Sequence, residues 1–329
     1  MSKIVRITEI PWGRSGNNLI SFTHGLWMAE VTQSTLEVPT WIMHILNPFE
    51  LSIMHNNYCF TEEPVKRKPL EIIEITSEDS FFLFKVLNDT TYMNILPEKY
   101  RNPHNYNDVV REMSKHFVKV YTSFWSSPKH DLLAASSYLV HHYLDNKFDY
   151  TSVHIRSMEG GCNKVMNEVT NIDDFTKSGI SMIESYWSNR RRNHPLCTMP
   201  YKFVRDTQIQ NSHNNTKLFL SFDGRGDIGE YKASNVMVVS SLIDHKTEYK
   251  GVDRRMLDMF VAMNGNFSVL NPLSTFSWEI YVIRACLGLQ TVPFISHDDF
   301  FMRKNRILNK PGLWVSWMSI RDSCLEMNA

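Results

Sequence analysis

The chain predicts an α/β protein in which two units each pack helices around a mostly parallel sheet. Three observations carry this. From Ser152 onward, short apolar runs alternate with helix-period segments, the order that right-handed crossovers produce. Met1–Ile10 alternates charged and apolar residues, stops at Pro11 and Gly13, and is followed by a helix-period segment. A length of 329 residues, 43% of them hydrophobic, suits about two domains, each with its own core.

The elements follow in order. Lys3–Ile10 reads as a strand, and Leu19, Phe22, Thr23, Leu26 and Ala29 recur behind it at helical spacing. Trp41–Leu46, Leu70–Ile75 and Phe81–Val86 are strand-like, and Asn107–Ser123 and His130–Leu144 helix-like. Lys147–Thr151 reads as the joint, so a first domain covers 1–147 and a second 148–300. The second begins with strand Ser152–Ile155, a glycine-containing loop and a helix over Asp173–Arg191. Strands Lys217–Phe222 and Asn235–Val239, helix Asp253–Met263 and strand Asn266–Leu270 come next. Trp278, Tyr281, Val282, Ala285, Cys286 and Leu289 then share one helix face, Gly288 marks the stop, and Gln290–Phe294 is the last strand. Residues 301–329, with Trp314 and Trp317, read as a tail that packs back on the body.

Lysine plus arginine (35) equals aspartate plus glutamate (35), so no global field recruits nucleic acid or an anionic membrane. The five cysteines, Cys59, Cys162, Cys197, Cys286 and Cys324, include no C-x-x-C pair and read as reduced thiols rather than a zinc site. No basic segment leads into an apolar one near the start, and no stretch is long enough to span a bilayer. These features together predict a cytoplasmic protein without a transmembrane segment. The sequons at Asn88, Asn214 and Asn266 are then expected to stay unmodified.

Four polar clusters fall where apolar runs end. Gly13-Arg14-Ser15-Gly16-Asn17-Asn18 stands between the first strand and first helix, where glycine permits close ligand approach and a helix start offers free N–H groups. It is neither a G-x-G-x-x-G nor a Walker loop, and Asn17 could equally cap the helix. His154 and Arg156 end the strand that opens the second unit, and a guanidinium there can grip a diphosphate through two bonds. Such an arginine also meets the charge that a leaving diphosphate gains. Outside that context the pair reads as an ion-paired arginine beside a hydrogen-bonded histidine. Asp223 ends Leu218–Phe222 ahead of Gly224 and suits either a base or ribose contact or a turn. Ser274-Thr275-Phe276-Ser277 opens a periodic helix, as phosphate cradle, as N-cap, or as both. Asp173-Asp174 and Asp298-Asp299 are adjacent pairs without Asp-x-Asp spacing, so no metal site is expected.

In this order the islands resemble the fucosyltransferase superfamily, which includes α1,2-, α1,6- and protein O-fucosyltransferases. The resemblance rests on Gly16-Asn17, His154-Ile155-Arg156, the Leu218–Asp223 strand end and Ser274-Thr275-Phe276-Ser277-Trp278. It implies two facing Rossmann-like domains in a B-type glycosyltransferase fold, the first on the acceptor side and the second holding the donor. It further implies an inverting, metal-independent enzyme with GDP-fucose as donor and no other cofactor. A glycan, lipid-linked sugar or glycoprotein would be the acceptor. Arg156, with His154, would be catalytic at the diphosphate. Ser274, Thr275, Phe276 and Ser277 would surround the pyrophosphate, Asp223 the base or ribose, and Arg14, Gly16 and Asn17 would face the donor. Ser157 and Met158 replace the Arg or Asp that often follows H-x-R, and Glu279 follows Trp278 where the α1,2 group continues differently. Those departures leave open GDP-mannose, GDP-rhamnose, a UDP- or dTDP-sugar, or an inactive glycan-binding protein. Glu9, His24, Glu50 and His154 are the candidate general bases.

Overall fold

The computed structural model describes residues 4–7, 15–51, 58–61, 72–75, 98, 106–145, 148–156, 195–213, 217–222, 228–234, 237–239, 251–271, 274–292, 323 and 326. Two units divide the chain. One comprises Met1–His130, Cys286–Gly288 and Asn305–Ala329, the other Asp131–Ala285 and Leu289–Lys304.

In the first unit, β1 (Ile4–Ile7) leads to α1 (Ser15–Thr32) and on to β2 (Thr35–Pro39). Then come a short α2 (Met43–Leu46), β3 (Tyr58–Thr61), β4 (Ile72–Ile75) and α3 (Tyr106–Trp125). The strands lie in the order β3-β2-β1-β4 and every neighbouring pair is parallel. The tight α1–β2 turn places Gln33 at φ 53°, and the Ser34 N–H donates to the Ala29 carbonyl at 2.8 Å.

Helix α1 is buried on nearly every side, with Leu19, Phe22, Leu26, Trp27 and Met28 inside alongside the polar Ser21, Thr23 and His24. Gly25 lets it lie close to the sheet: a Cβ there would come within 3.1 Å of the Ile7 and Leu36 side chains. Phe22 meets Phe124 at 5.5 Å and Trp27 meets Phe117 at 6.5 Å, joining α1 to α3. Arg6 and Glu37 sit in register on β1 and β2 and pair at 2.7 Å.

The strand expected over Trp41–Leu46 is instead a 3-10 turn, Thr40–Ile42, running into α2. Ile42, Ile45 and Leu46 are buried while Trp41 and His44 face solvent, a helical period that a short uncharged run hides. The strand itself is β2, immediately before it. Neither β2 nor β3 is anticipated by the sequence reading. Phe81–Val86 and Asp173–Arg191 lie outside the described residues.

The second unit begins with α4 (His130–Tyr143, its first residue assigned to the other unit) and β5 (Thr151–Ile155). Next are α5 (Pro195–Thr198), α6 (Tyr201–Gln210), β6 (Leu218–Phe222), α7 (Gly229–Ser234) and β7 (Met237–Val238). It continues through α8 (Arg254–Asn264), β8 (Phe267–Val269), α9 (Thr275–Cys286, its last residue assigned to the other unit) and β9 (Gln290–Val292). The sheet order is β7-β6-β5-β8-β9, again parallel throughout. Strand β5 is buried at every position, as expected for a central parallel strand covered on both faces. Asp253 starts α8 by accepting the N–H groups of Arg255 and Met256 at 2.9 and 3.4 Å.

Cys197 and Cys286 each take part in a disulfide. This corrects the expectation of reduced thiols, and the cytoplasmic placement drawn partly from it loses that support. No described helix is long and apolar enough to cross a membrane.

Candidate functional site

A parallel sheet offers its ligands the crevice at the carboxyl ends of its strands, where successive crossovers turn to opposite sides. In the second sheet the chain steps from β5 out through β6 to β7, then returns to place β8 and β9 on the other flank of β5. The switch point therefore lies between β5 and β8. Its two lips are the carboxyl end of β5 and the start of α9.

Both lips carry residues singled out by the sequence. His154 is the fourth residue of β5 and buried at 4% exposure; Arg156 follows the strand and is half-buried. Across the switch point, Ser274 precedes α9, and Thr275, Phe276 and Ser277 form its first turn. The lips touch. His154 Nδ1 lies 2.6 Å from Ser277 Oγ, and the His154 ring meets Phe276 at a centroid distance of 4.7 Å. The serine hydroxyl can donate to Nδ1 or accept from it, so the contact holds the orientation of the buried imidazole in either tautomer. The structure thus brings together His154, Arg156, Ser274, Phe276 and Ser277, residues up to 123 positions apart along the chain.

Asn271 joins this group without having been predicted. It is fully buried, its Nδ2 donates to the Arg156 carbonyl at 3.5 Å, and its own carbonyl accepts the Ser274 N–H at 3.3 Å. An asparagine between an apolar run and Pro272 reads in sequence as a turn residue, so nothing there marks it.

The other candidates are placed less fully. Gly16 and Asn17 lie in the first turn of α1, which starts at Ser15, so Asn17 is inside the helix rather than its cap. Gly16 and Asn18 are buried. Arg14, Asp223 and Glu9 lie outside the described residues. Of the remaining proposed bases, His24 is buried in the core beside Trp27 at 5.8 Å, and Glu50 is exposed. Among the described residues, no three His, Cys, Asp or Glu side chains gather as metal ligands would.

The far ends of α8 and α9 are braced by Arg284. Its guanidinium is fully buried, donating to the carbonyls of Met263 at 3.0 Å and Gln290 at 2.6 Å, to the Gly265 carbonyl, and to Thr291 Oγ1 at 2.8 Å. Burial lowers its pKa to about 10, against which the neighbouring Tyr150 acts in the opposite direction. It remains charged at neutral pH and caps the carbonyl end of α8.

No protein-family model and no curated protein matches the chain. Among solved structures, apo POFUT1 superposes with a TM-score of 0.53 at 13% identity, covering 89% of this chain and 97% of that one. The fold is that of POFUT1. POFUT1 in complex with GDP-fucose aligns at a TM-score of 0.49 and 12% identity, over 89% of this chain and 98% of that one. The fucosyltransferase NodZ from Bradyrhizobium aligns at 0.38 and 10% identity, over 85% and 93%. At this identity the likeness extends to the fold and leaves the chemistry to be argued from the residues.

Proposed function

We propose that this chain is an inverting, metal-independent glycosyltransferase that moves fucose from GDP-fucose to a glycan or glycoconjugate acceptor. The observation that carries the proposal is the meeting of the His154–Arg156 strand end with the Ser274–Ser277 helix start at the sheet's switch point. POFUT1, whose fold the chain shares, has been solved with GDP-fucose bound. A diphosphate at this point would take two parallel bonds from the Arg156 guanidinium and N–H donors from the first turn of α9.

Transfer forms a bond between the acceptor oxygen and the anomeric carbon as the bond to the diphosphate oxygen breaks. The electron pair leaves with GDP, and the acceptor proton passes to a base or water. Negative charge grows on the diphosphate in the transition state, so donors already fixed there lower the barrier without reorganising. Arg156 and the helix start supply the neutralisation that a divalent ion supplies elsewhere. Asp223 is proposed to contact the base or ribose, and Arg14, Gly16 and Asn17 to contact the donor.

The test is direct. GDP should raise the melting temperature in the presence of EDTA, and more than UDP or dTDP does. Arg156→Ala should abolish transfer while leaving the unliganded melting temperature unchanged. Undiminished turnover in that variant would overturn the reading.

A further inference from the structure

We infer that Asn271 is a positioning residue for Arg156, an inference that rests on the proposed donor site. Asn271 stands just past β8, across the switch point from the end of β5. Continuing the β5–β8 register beyond Val153↔Val269 sets Asn271 opposite Ile155, the neighbour of Arg156. From there its side-chain amide holds the Arg156 carbonyl, and its backbone carbonyl holds the N–H of Ser274. One residue therefore couples the backbone beneath the guanidinium to the residue that precedes the α9 helix start.

The coupling matters because a guanidinium binds phosphate as a rigid fork. A small shift of its backbone misdirects both bonds together, and the price in rate of such misplacement is large. The His154–Ser277 bond fastens the same two lips through side chains. Asn271 instead fixes the main chain of Arg156 itself. It touches neither donor nor acceptor in this scheme and acts only through the arginine.

A double-mutant cycle on the full chain separates that role from general support of the fold. GDP affinity is measured by calorimetry for the unaltered protein, Asn271→Ser, Arg156→Ala and the double variant. Asn271→Ser should weaken GDP binding about tenfold. In the Arg156→Ala background the same change should shift affinity by roughly twofold or less, because the residue it acts through is gone. In steady state, Asn271→Ser should raise KM for the donor and lower kcat together. Equal losses in both backgrounds, or unchanged affinity in Asn271→Ser, would overturn the inference. If Asn271→Ser does not fold, Asn271→Asp carries the same cycle, since it keeps the size and loses the donor. An unaltered protein that binds no nucleoside diphosphate sinks the proposed function and this inference together, a result visible before any substitution is made.

Discussion

At the scale of single residues, burial of polar groups decides more than their identity. Tyr150 and Tyr231 are both enclosed, the first donating to the Val261 carbonyl at 2.6 Å and the second to the Met199 carbonyl. Burial pushes both phenols well above their ordinary value of 10.0, and Glu230 adds to the effect at Tyr231. In the unfolded chain each phenol ionises near pH 10. The folded state keeps its proton longer, so stability is intact below that pH and falls as pH rises beyond it. The loss should approach about 1.4 kcal/mol per pH unit for each tyrosine. Urea midpoints taken between pH 9 and 11 should show this decline, less steep in Tyr150→Phe. A flat profile would contradict the assignment. His154 makes the same point within the site: the sequence marks it as a candidate catalyst, and the fold closes it beneath Phe276 with Nδ1 on Ser277.

Elements depend on close approach as much as on propensity. The turn between α8 and β8 passes so near β5 that a Cβ on Gly265 would meet Ser152 Oγ at 2.7 Å and the Tyr150 backbone carbonyl at 2.9 Å. A flexible side chain could move aside, but the backbone oxygen of Tyr150, which leads directly into the central strand β5, cannot do so freely. Gly265→Ala should therefore cost about 1–3 kcal/mol, the range for overpacking, read from chemical unfolding at neutral pH. An unchanged midpoint would mean that the turn is looser than the geometry indicates. The sequence reading is strongest for long periodic elements, such as α1, α3, α4, α8 and α9, whose apolar spacing survives any tertiary arrangement. It fails at Thr35–Pro39 and Trp41–Leu46. There a short strand contains a buried Glu37 that breaks alternation, and a short helix lacks the length to declare its period.

For the whole molecule, the disulfides are the consequence most open to measurement. Cys197 and Cys286 are buried and each takes part in a disulfide, and Cys286 is the last residue of α9, whose first turn builds the candidate site. Dithiothreitol should lower Tm by roughly 5 °C or more, given the usual contribution of a disulfide and the size of each unit. Alkylation of both cysteines in unreduced, folded protein would refute the bonding. Scattered cysteines carry no pairing information in sequence, because pairing depends on distance in the fold.

By itself the sequence determined the alternation of strands and helices, the parallel sheets that alternation requires, and the polar residues that end β5 and open α9. Those are local properties: period, turn chemistry and the residue types found at strand ends. Tertiary structure alone decided which strands are neighbours, that β5 and β8 flank the switch point, and that His154 meets Ser277 while Asn271 holds Arg156. The β5–β8 pairing and both of those side-chain contacts join residues more than a hundred positions apart. Such contacts form through sheet order and register, which no local pattern along the chain encodes.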